Sequence, residues 1–311
     1  MATDVFTLYK NTTCRQALRN LQDRRDAEMV FYIYITDDDN SLVGIASLRA
    51  LATTHPETKL KEIMVKNVHK VRPETDQEEV AQLVAQYNYL AVPVVDSDNI
   101  LLGIVTVDDV VDVIREEATE DFLQMAGAGK DREILLKSSW DSAKIRIPWL
   151  LASWTGGIIA SYVIGNFEKI LENTIVLVSF IPIIIGMGGN IGTQSSTIIV
   201  RGMATGRITI GDEGATILKE LKTGLILGLL YGLMLGLFAG LRFFDTEPVI
   251  GVVVGLSICS SMIIATGVGT LTPLVLRKLE IDPAIATGPF VTTSIDILGV
   301  LLYFLIAGLL L

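Results

Sequence analysis

Phe180-Ile-Pro-Ile-Ile-Ile-Gly-Met-Gly-Gly-Asn-Ile-Gly-Thr-Gln194 lies inside an uncharged stretch that runs from Asn173 to Val200. A bilayer span needs about 20 apolar residues, and this stretch supplies them. It also holds features that a plain anchor does not need. Pro182 removes a helix hydrogen bond, and Gly186, Gly188, Gly189 and Gly192 loosen the turns that follow. The span is therefore expected to break at membrane depth, which is tolerated where the backbone lines a cavity or is buried in protein. Freed carbonyls, with the Asn190 and Gln194 amides, then offer hard, neutral oxygen ligands. Close helix packing would explain the glycines but not the two amides beside them.

Four more stretches of spanning length flank this one: Ile147–Phe167, Thr223–Leu241, Pro248–Leu276 and Pro283–Leu311. Only Asp296 interrupts the last, about midway along it. A carboxylate at that depth is costly and marks an ion path or a proton relay. Thr292 and Gly288 precede it at i−4 and i−8, with Thr293 at i−3, a small and polar face suited to an aqueous cavity. No base in the membrane half sits at matching depth. The third span shows packing alone, because Gly224, Gly228, Gly232, Gly236 and Gly240 recur every four residues.

Basic residues in the connections orient the spans. Lys137, Lys144, Arg146, Arg201, Arg207, Lys219, Lys222, Arg277 and Lys278 fall on one side; Lys169 and Arg242 fall on the other. The soluble half is thus expected in the cytoplasm and the C-terminus outside, in a multi-pass protein of the bacterial cytoplasmic membrane with lipid around its spans. Residues 1–20 hold no apolar core of a secretory signal, in agreement.

The polar residues concentrate before residue 147. Residues 1–146 carry 17 Lys+Arg and 25 Asp+Glu, against 8 and 10 in residues 147–311. The whole chain of 311 residues has a net charge of −10 and a mean hydropathy of +0.50. An acidic surface excludes nucleic acid as a partner, and half the residues being hydrophobic excludes disorder. Cys14 and Cys259 fall in different halves, so no disulfide framework exists. No Ser/His/Asp or Cys/His set is visible on one domain, and nothing supports an enzyme.

The soluble half repeats. Met1-Ala-Thr-Asp-Val5 aligns with Met64-Val-Lys-Asn-Val68, Ile33-Tyr-Ile-Thr-Asp37 with Val92-Pro-Val-Val-Asp96, and Leu42-Val-Gly-Ile-Ala46 with Leu102-Gly-Ile-Val105, around Gly44 and Gly103. Each copy reads as an extended segment, a helix, a strand, a turn, a strand and a helix. The turns are Asp37-Asp-Asp-Asn40 and Asp96-Ser-Asp-Asn99, of the kind that closes a hairpin. Two βαββα units of this length resemble a CBS-domain pair, covering residues 1–114. Residues 108–121 then carry seven acids and one base. Asp109, Asp112, Glu116 or Glu117, and Glu120 share a broad helical face, where like charges repel unless a cation neutralises them. An isolated run of this kind is ordinarily a solvated face, but one that leads into a membrane domain is less ordinary.

One carboxylate with amide, hydroxyl and carbonyl oxygens suits a hard cation, and magnesium, which dehydrates reluctantly, fits a site of few protein ligands. The CBS pair, the acidic helix, five spans, Pro-x-x-x-Gly-x-Gly-Gly-Asn-x-Gly-x-Gln and the fifth-span Asp together resemble the MgtE family of magnesium channels over nearly the whole chain. The resemblance implies an α+β CBS pair (residues 1–62 and 63–114), an acidic connecting helix (115–143) and an all-α five-span pore domain (144–311). It implies a homodimer with the ion path at its interface. Carried over by position, Asp296, Asn190 and backbone oxygens near Gly186 and Thr292 contact the ion. An amide that the family carries two turns before the pore Asp is Gly288 here.

The resemblance also implies closure by cytosolic magnesium at Asp109, Asp112, Glu117, Glu120, Asp121 and Asp282. CBS pairs often bind ATP or another adenine nucleotide through Thr/Ser-x-x-Asp. Thr106-Val-Asp-Asp109 fits that pattern, whereas Ser47-Leu-Arg-Ala50 in the first copy lacks the acid. Family members usually place an acidic helical domain before the pair; residue 1 here already lies inside the first repeat, so that domain is expected to be absent or removed. Two other functions stay open, a broader transporter of cobalt or manganese and a membrane-anchored sensor that transports nothing.

Overall fold

The computed structural model describes residues 1–23, 32–131, 133–208, 211 and 213–311, in two compact units, Met1–Glu117 and Ala118–Leu311. The first unit contains β1 (Thr7–Tyr9), α1 (Cys14–Asp23), β2 (Tyr32–Thr36), β3 (Leu42–Ser47), α2 (Leu48–Thr53) and α3 (Leu60–Ile63). The second copy follows as α4 (Gln77–Tyr87), β4 (Ala91–Val95), β5 (Leu101–Thr106) and α5 (Val107–Met125), which continues past Glu117 into the second unit.

The repeat holds down to single hydrogen bonds. Both hairpins, β2–β3 and β4–β5, are antiparallel, and each has one register shift beside its turn. Asp37 Oδ1 accepts from the amides of Asp39 and Ser41, and Asp96 Oδ1 accepts from those of Asp98 and Ile100. Asn40 and Asn99 both sit at φ 65°, the left-handed region that Asn tolerates best after Gly. The first strand differs between the copies. β1 pairs in parallel with β2, whereas its counterpart shrinks to one bridge from Val71 to Val94.

The two copies exchange their leading segments. Ala2 bridges Ile104 in β5, and Val65 bridges Ile45 in β3. This exchange explains the two shared glycines. A Cβ on Gly103 would stand 2.7 Å from the Ala2 carbonyl oxygen, and one on Gly44 would stand 2.9 Å from that of Val65. Tyr34, Leu42, Ala91, Val95 and Ile104 form a shared core between the hairpins. Gly44→Val and Gly103→Val each press a side chain onto backbone that cannot retreat, at a cost of about 1–3 kcal/mol. Each variant is expected to lower the urea midpoint of this paired unit in the full chain, whereas Gly157→Ala, in open space, leaves it unmoved.

The second unit holds five helices long and apolar enough to cross a membrane. After a 3-10 turn at Ile134–Leu136 come α6 (Ser139–Gly165), the short α7 (Glu168–Asn173), a 3-10 segment (Ile175–Phe180), α8 (Ile181–Ala204), α9 (Glu213–Arg242), α10 (Ile250–Lys278), a 3-10 turn (Pro283–Thr287) and α11 (Pro289–Leu310).

Three expectations change here. The acidic helix does not run to residue 143: α5 ends at Met125, where Gly127 (φ 68°) and Gly129 (φ 89°) turn the chain. The second span does not break after Pro182. That proline sits in the first turn of α8, where its missing N–H is not needed, and the irregular backbone precedes it. Asp296 is not midway along its span, because α11 begins at Pro289 and places it about two turns in.

Small residues set the helix packing. Gly232, Gly236 and Gly251 lie against facing backbone, with a Cβ on each falling 2.6 to 2.8 Å from the carbonyl oxygens of Gly255, Gly251 and Gly236. The stripe on α9 thus meets a second stripe on α10. α11 is surrounded by α6, α8 and α10. A Cβ on Gly156 of α6 would overlap Thr293, and one on Gly299 would stand 3.0 Å from Ser261 Oγ of α10. Tyr303, fully buried, donates from its hydroxyl to the Leu177 carbonyl at 2.9 Å.

Candidate functional site

Asp296 owes its setting to the residue before it. The Ile295 side chain enters the notch between Gly188 and Gly192, where a Cβ on Gly188 would be 3.1 Å from Ile295 Cγ2 and one on Gly192 would overlap Ile295. That fit turns Asp296 toward Gly189, whose absent Cβ would stand 3.7 Å from Asp296 Oδ1. No side chain on α8 therefore screens the carboxylate at this point. Among the described residues no base and no hydrogen-bond donor reaches it.

Beside it, α8 presents Gly186, Asn190 and Gln194 on an exposed face, one turn apart. Gly186 faces open space, and its carbonyl belongs to a continuous helix rather than to broken backbone. Thr292 lies one turn before Asp296, and its hydroxyl donates back to the carbonyls of Pro289 at 3.3 Å and Gly288 at 3.5 Å. Thr293 leaves this group, since it packs on α6. Gly288 leaves it too, because it lies under the Gln124 carbonyl, 3.4 Å from its absent Cβ. The polar face is thus built from Asp296 and Thr292 on α11 and the two amides on α8.

A second cluster joins the end of α5 to the turn before α11. Asp282 caps that turn, its Oδ1 accepting from the Ala284 amide at 2.9 Å. Its Oδ2 accepts from Gln124 Nε2 at 2.8 Å and from Lys130 Nζ at 3.0 Å. Glu120 Oε1 accepts from the same Gln124 nitrogen at 3.3 Å and lies 3.4 Å from Lys130 Nζ. Burial raises the Asp282 pKa, but the Ala284 amide, Gln124 and Lys130 outweigh it, and the net shift is downward. Burial likewise lowers Lys130 while Asp282 and Glu120 raise it, for a net upward shift. The two shifts agree on an ion pair.

Glu120 and Asp282, expected as partners, are therefore brought together. Asp109, Asp112 and Glu117 lie in the first unit and Asp121 in the second. Among the described residues no three acidic, histidine or cysteine side chains converge on one point. Thr106 and Asp109 engage each other across the start of α5, amide to side chain in both directions at 3.5 Å. This is a helix-capping pair, and Asp109 also lies 3.4 Å from the Met1 amino group. Glu117 accepts from Gln77.

Sequence reasoning missed Gln124 and Lys130. Gln124 stands one turn beyond Glu120, and Lys130 is the first base after the acidic run, but neither position points to Asp282. It also missed Glu220, which is only 6% exposed on α9 and accepts from Ser195 Oγ at 2.9 Å. Flanked by the exposed Lys219 and Lys222, Glu220 reads as part of a connection, yet α9 begins a full two turns earlier. Ser195→Ala strips this buried carboxyl of its donor, which costs about 1–3 kcal/mol. A lower thermal midpoint in detergent is expected, with Ser195→Thr retaining most of the stability.

An α+β pair followed by five helices long and apolar enough to cross a membrane, the last carrying the half-buried Asp296 carboxylate, defines a polytopic membrane protein with an α+β module ahead of its spans. The model of the MgtE divalent cation transporter family matches residues 181–306, and that of the CBS domain matches residues 1–54 and 60–116. The magnesium transporter MgtE of Thermus thermophilus is 38% identical over 314 residues, covering 100% of this chain and 69% of that protein. Its counterpart in Enterococcus faecalis is 38% identical over 310 residues, covering 99% and 68%. The solved cytosolic domain of the Mg2+ channel MgtE in complex with ATP is 45% identical, covering 36% of this chain and 45% of that chain, with a TM-score of 0.35. The chain belongs to the MgtE family of magnesium transporters.

Proposed function

We propose that this chain conducts magnesium ions across a cytoplasmic membrane along the polar face of α8 and α11, with closure controlled by cytosolic magnesium. The observation that carries the reading is the Asp296 carboxylate, held at membrane depth opposite Gly189 with no partner among the described residues. A carboxylate there has a reason to persist when a passing cation compensates it. Magnesium is the substrate. Its tightly held water shell suits one carboxylate with nearby amide and hydroxyl oxygens, so Asn190, Thr292 and the α8 backbone by Gly186 meet a largely hydrated ion.

A second copy of the chain completes the path. Asn190 and Gln194 are exposed on the single chain at membrane depth, where lipid cannot satisfy an amide. A two-fold axis along this face would cover them and bring two Asp296 carboxylates to one conduit. The excess of basic residues on the connections supports an N-terminus in the cytoplasm and a C-terminus outside.

For closure, the acids Asp109, Asp112, Glu117, Glu120, Asp121 and Asp282 are the residues we assign. Carboxylates on α5 repel one another when bare and are drawn to other carboxylates around a shared divalent ion, which biases a two-state arrangement. ATP or a related adenine nucleotide fits at Thr106 and Asp109, on the strength of the Thr-x-x-Asp spacing and of the relative solved with ATP. Release of the capping contact between the two residues would precede it.

Asp296→Ala is expected to abolish magnesium flux into proteoliposomes while the thermal midpoint holds, and unchanged flux overturns the conduit. Gly189→Leu tests the same point with the charge kept, and covering the carboxylate should cut flux about tenfold or more. Comparing Mg2+ with Co2+ and Mn2+ in the same vesicles separates a magnesium path from a broader divalent one.

Neutralising Glu117, Glu120 and Asp121 together is expected to leave flux intact but raise the internal magnesium needed for closure. An unaltered inhibition curve would remove these acids from the sensor.

A further inference from the structure

We propose that Lys130 is a tethered cation that competes with divalent ions for the Glu120–Asp282 carboxylate pair, and so raises the magnesium concentration at which that pair is bridged. The inference rests on the regulatory reading above and deepens it.

The geometry is that of an occupied cation position. Lys130 Nζ lies 3.0 Å from Asp282 Oδ2 and 3.4 Å from Glu120 Oε1, between two carboxylates contributed from separate parts of the chain. Both carboxylates share this one ammonium, and a divalent ion in its place carries twice the charge. The ammonium is also an imperfect occupant. Gln124 turns its NH2 to both carboxylates, and its Oε1 is left buried without a donor among the described residues, in a side chain only 1% exposed.

A buried acceptor without a partner is costly, and Lys130, with donors to spare, does not reach it. Glu120 and Asp282 together offer an all-oxygen pair, with the Gln124 side chain held beside both. That suits an ion which keeps several of its waters. Lys130 can leave without unfolding anything. Its side chain is 55% exposed, and it follows Gly129 in a glycine turn outside any helix. The carboxylates thus have two possible cations, one always present at high local concentration and one supplied by the cytosol.

The test uses the full chain in detergent and reads chymotrypsin cleavage in segment 122–136, where Phe122 and Leu135 are exposed, as magnesium is titrated. Lys130→Gln should lower the magnesium midpoint for protection by about tenfold. Lys130→Arg, which keeps the charge, should hold the midpoint of the unaltered chain. Adding Asp282→Asn to Lys130→Gln should erase the gain. A midpoint that Lys130→Gln leaves unmoved or raises overturns the competition while leaving regulation in place. Absence of protection by magnesium in both proteins overturns the regulatory reading and this inference with it.

Discussion

The membrane unit turns on one knob in one notch. Ile295 fills the space left by Gly188 and Gly192, and that fit fixes the rotation of α11 about its axis. On a helix the next residue points about 100° away, so seating Ile295 commits Asp296 to the strip of α8 that carries Gly189 and Asn190. Larger residues at 188 or 192 would push α11 outward and let it turn. Two glycines that read as helix looseners are therefore alignment features, and the polar face depends on their lack of side chains. The apolar fit costs nothing to desolvate, whereas no polar contact of Asp296 could hold the helix without consuming the charge it presents.

The same economy of small residues organises the first unit. Gly44 and Gly103 make room for the leading segment of the opposite copy, so each hairpin is completed by a bridge from outside its own copy, Val65 to Ile45 and Ala2 to Ile104. That exchange makes the pair one folding unit, because removing either leading segment uncovers the other copy's sheet edge.

Much of this was legible because it is periodic or local. Five apolar stretches, the paired Asp/Asn turns and the two equivalent glycines each carry their own evidence along a few residues. Start points were less legible. Pro182 and Pro283 read alike as breaks or openings, but only packing decides that α8 opens at Ile181 and that a separate 3-10 turn precedes α11 at Pro289. Contacts across long loops were not legible at all. Gln124 and Lys130 lie 158 and 152 residues from Asp282, and nothing in their neighbours signals that meeting. Glu220 was hidden for a different reason: its charged flanks resemble a loop, and only helix phase reveals that it faces inward while they face outward.

Three carboxylates in one unit now show three settlements of the same electrostatic problem. Glu220 takes a hydroxyl donor and is nearly closed off from solvent. Asp282 takes a helix-turn amide, a glutamine and a lysine, and its pKa falls because those partners outweigh its burial. Asp296 takes none of these among the described residues. A partner that never leaves makes a carboxylate structural, and one on a half-exposed side chain makes it exchangeable. A carboxylate with no partner must find its counter-charge from outside. The order Glu220, Asp282, Asp296 is thus an order of increasing availability to a mobile cation, and it is set by neighbours rather than by the acids themselves. Any residue that supplied Asp296 with a permanent donor would stabilise the helix bundle and remove the electrostatic reason for a cation to pass there.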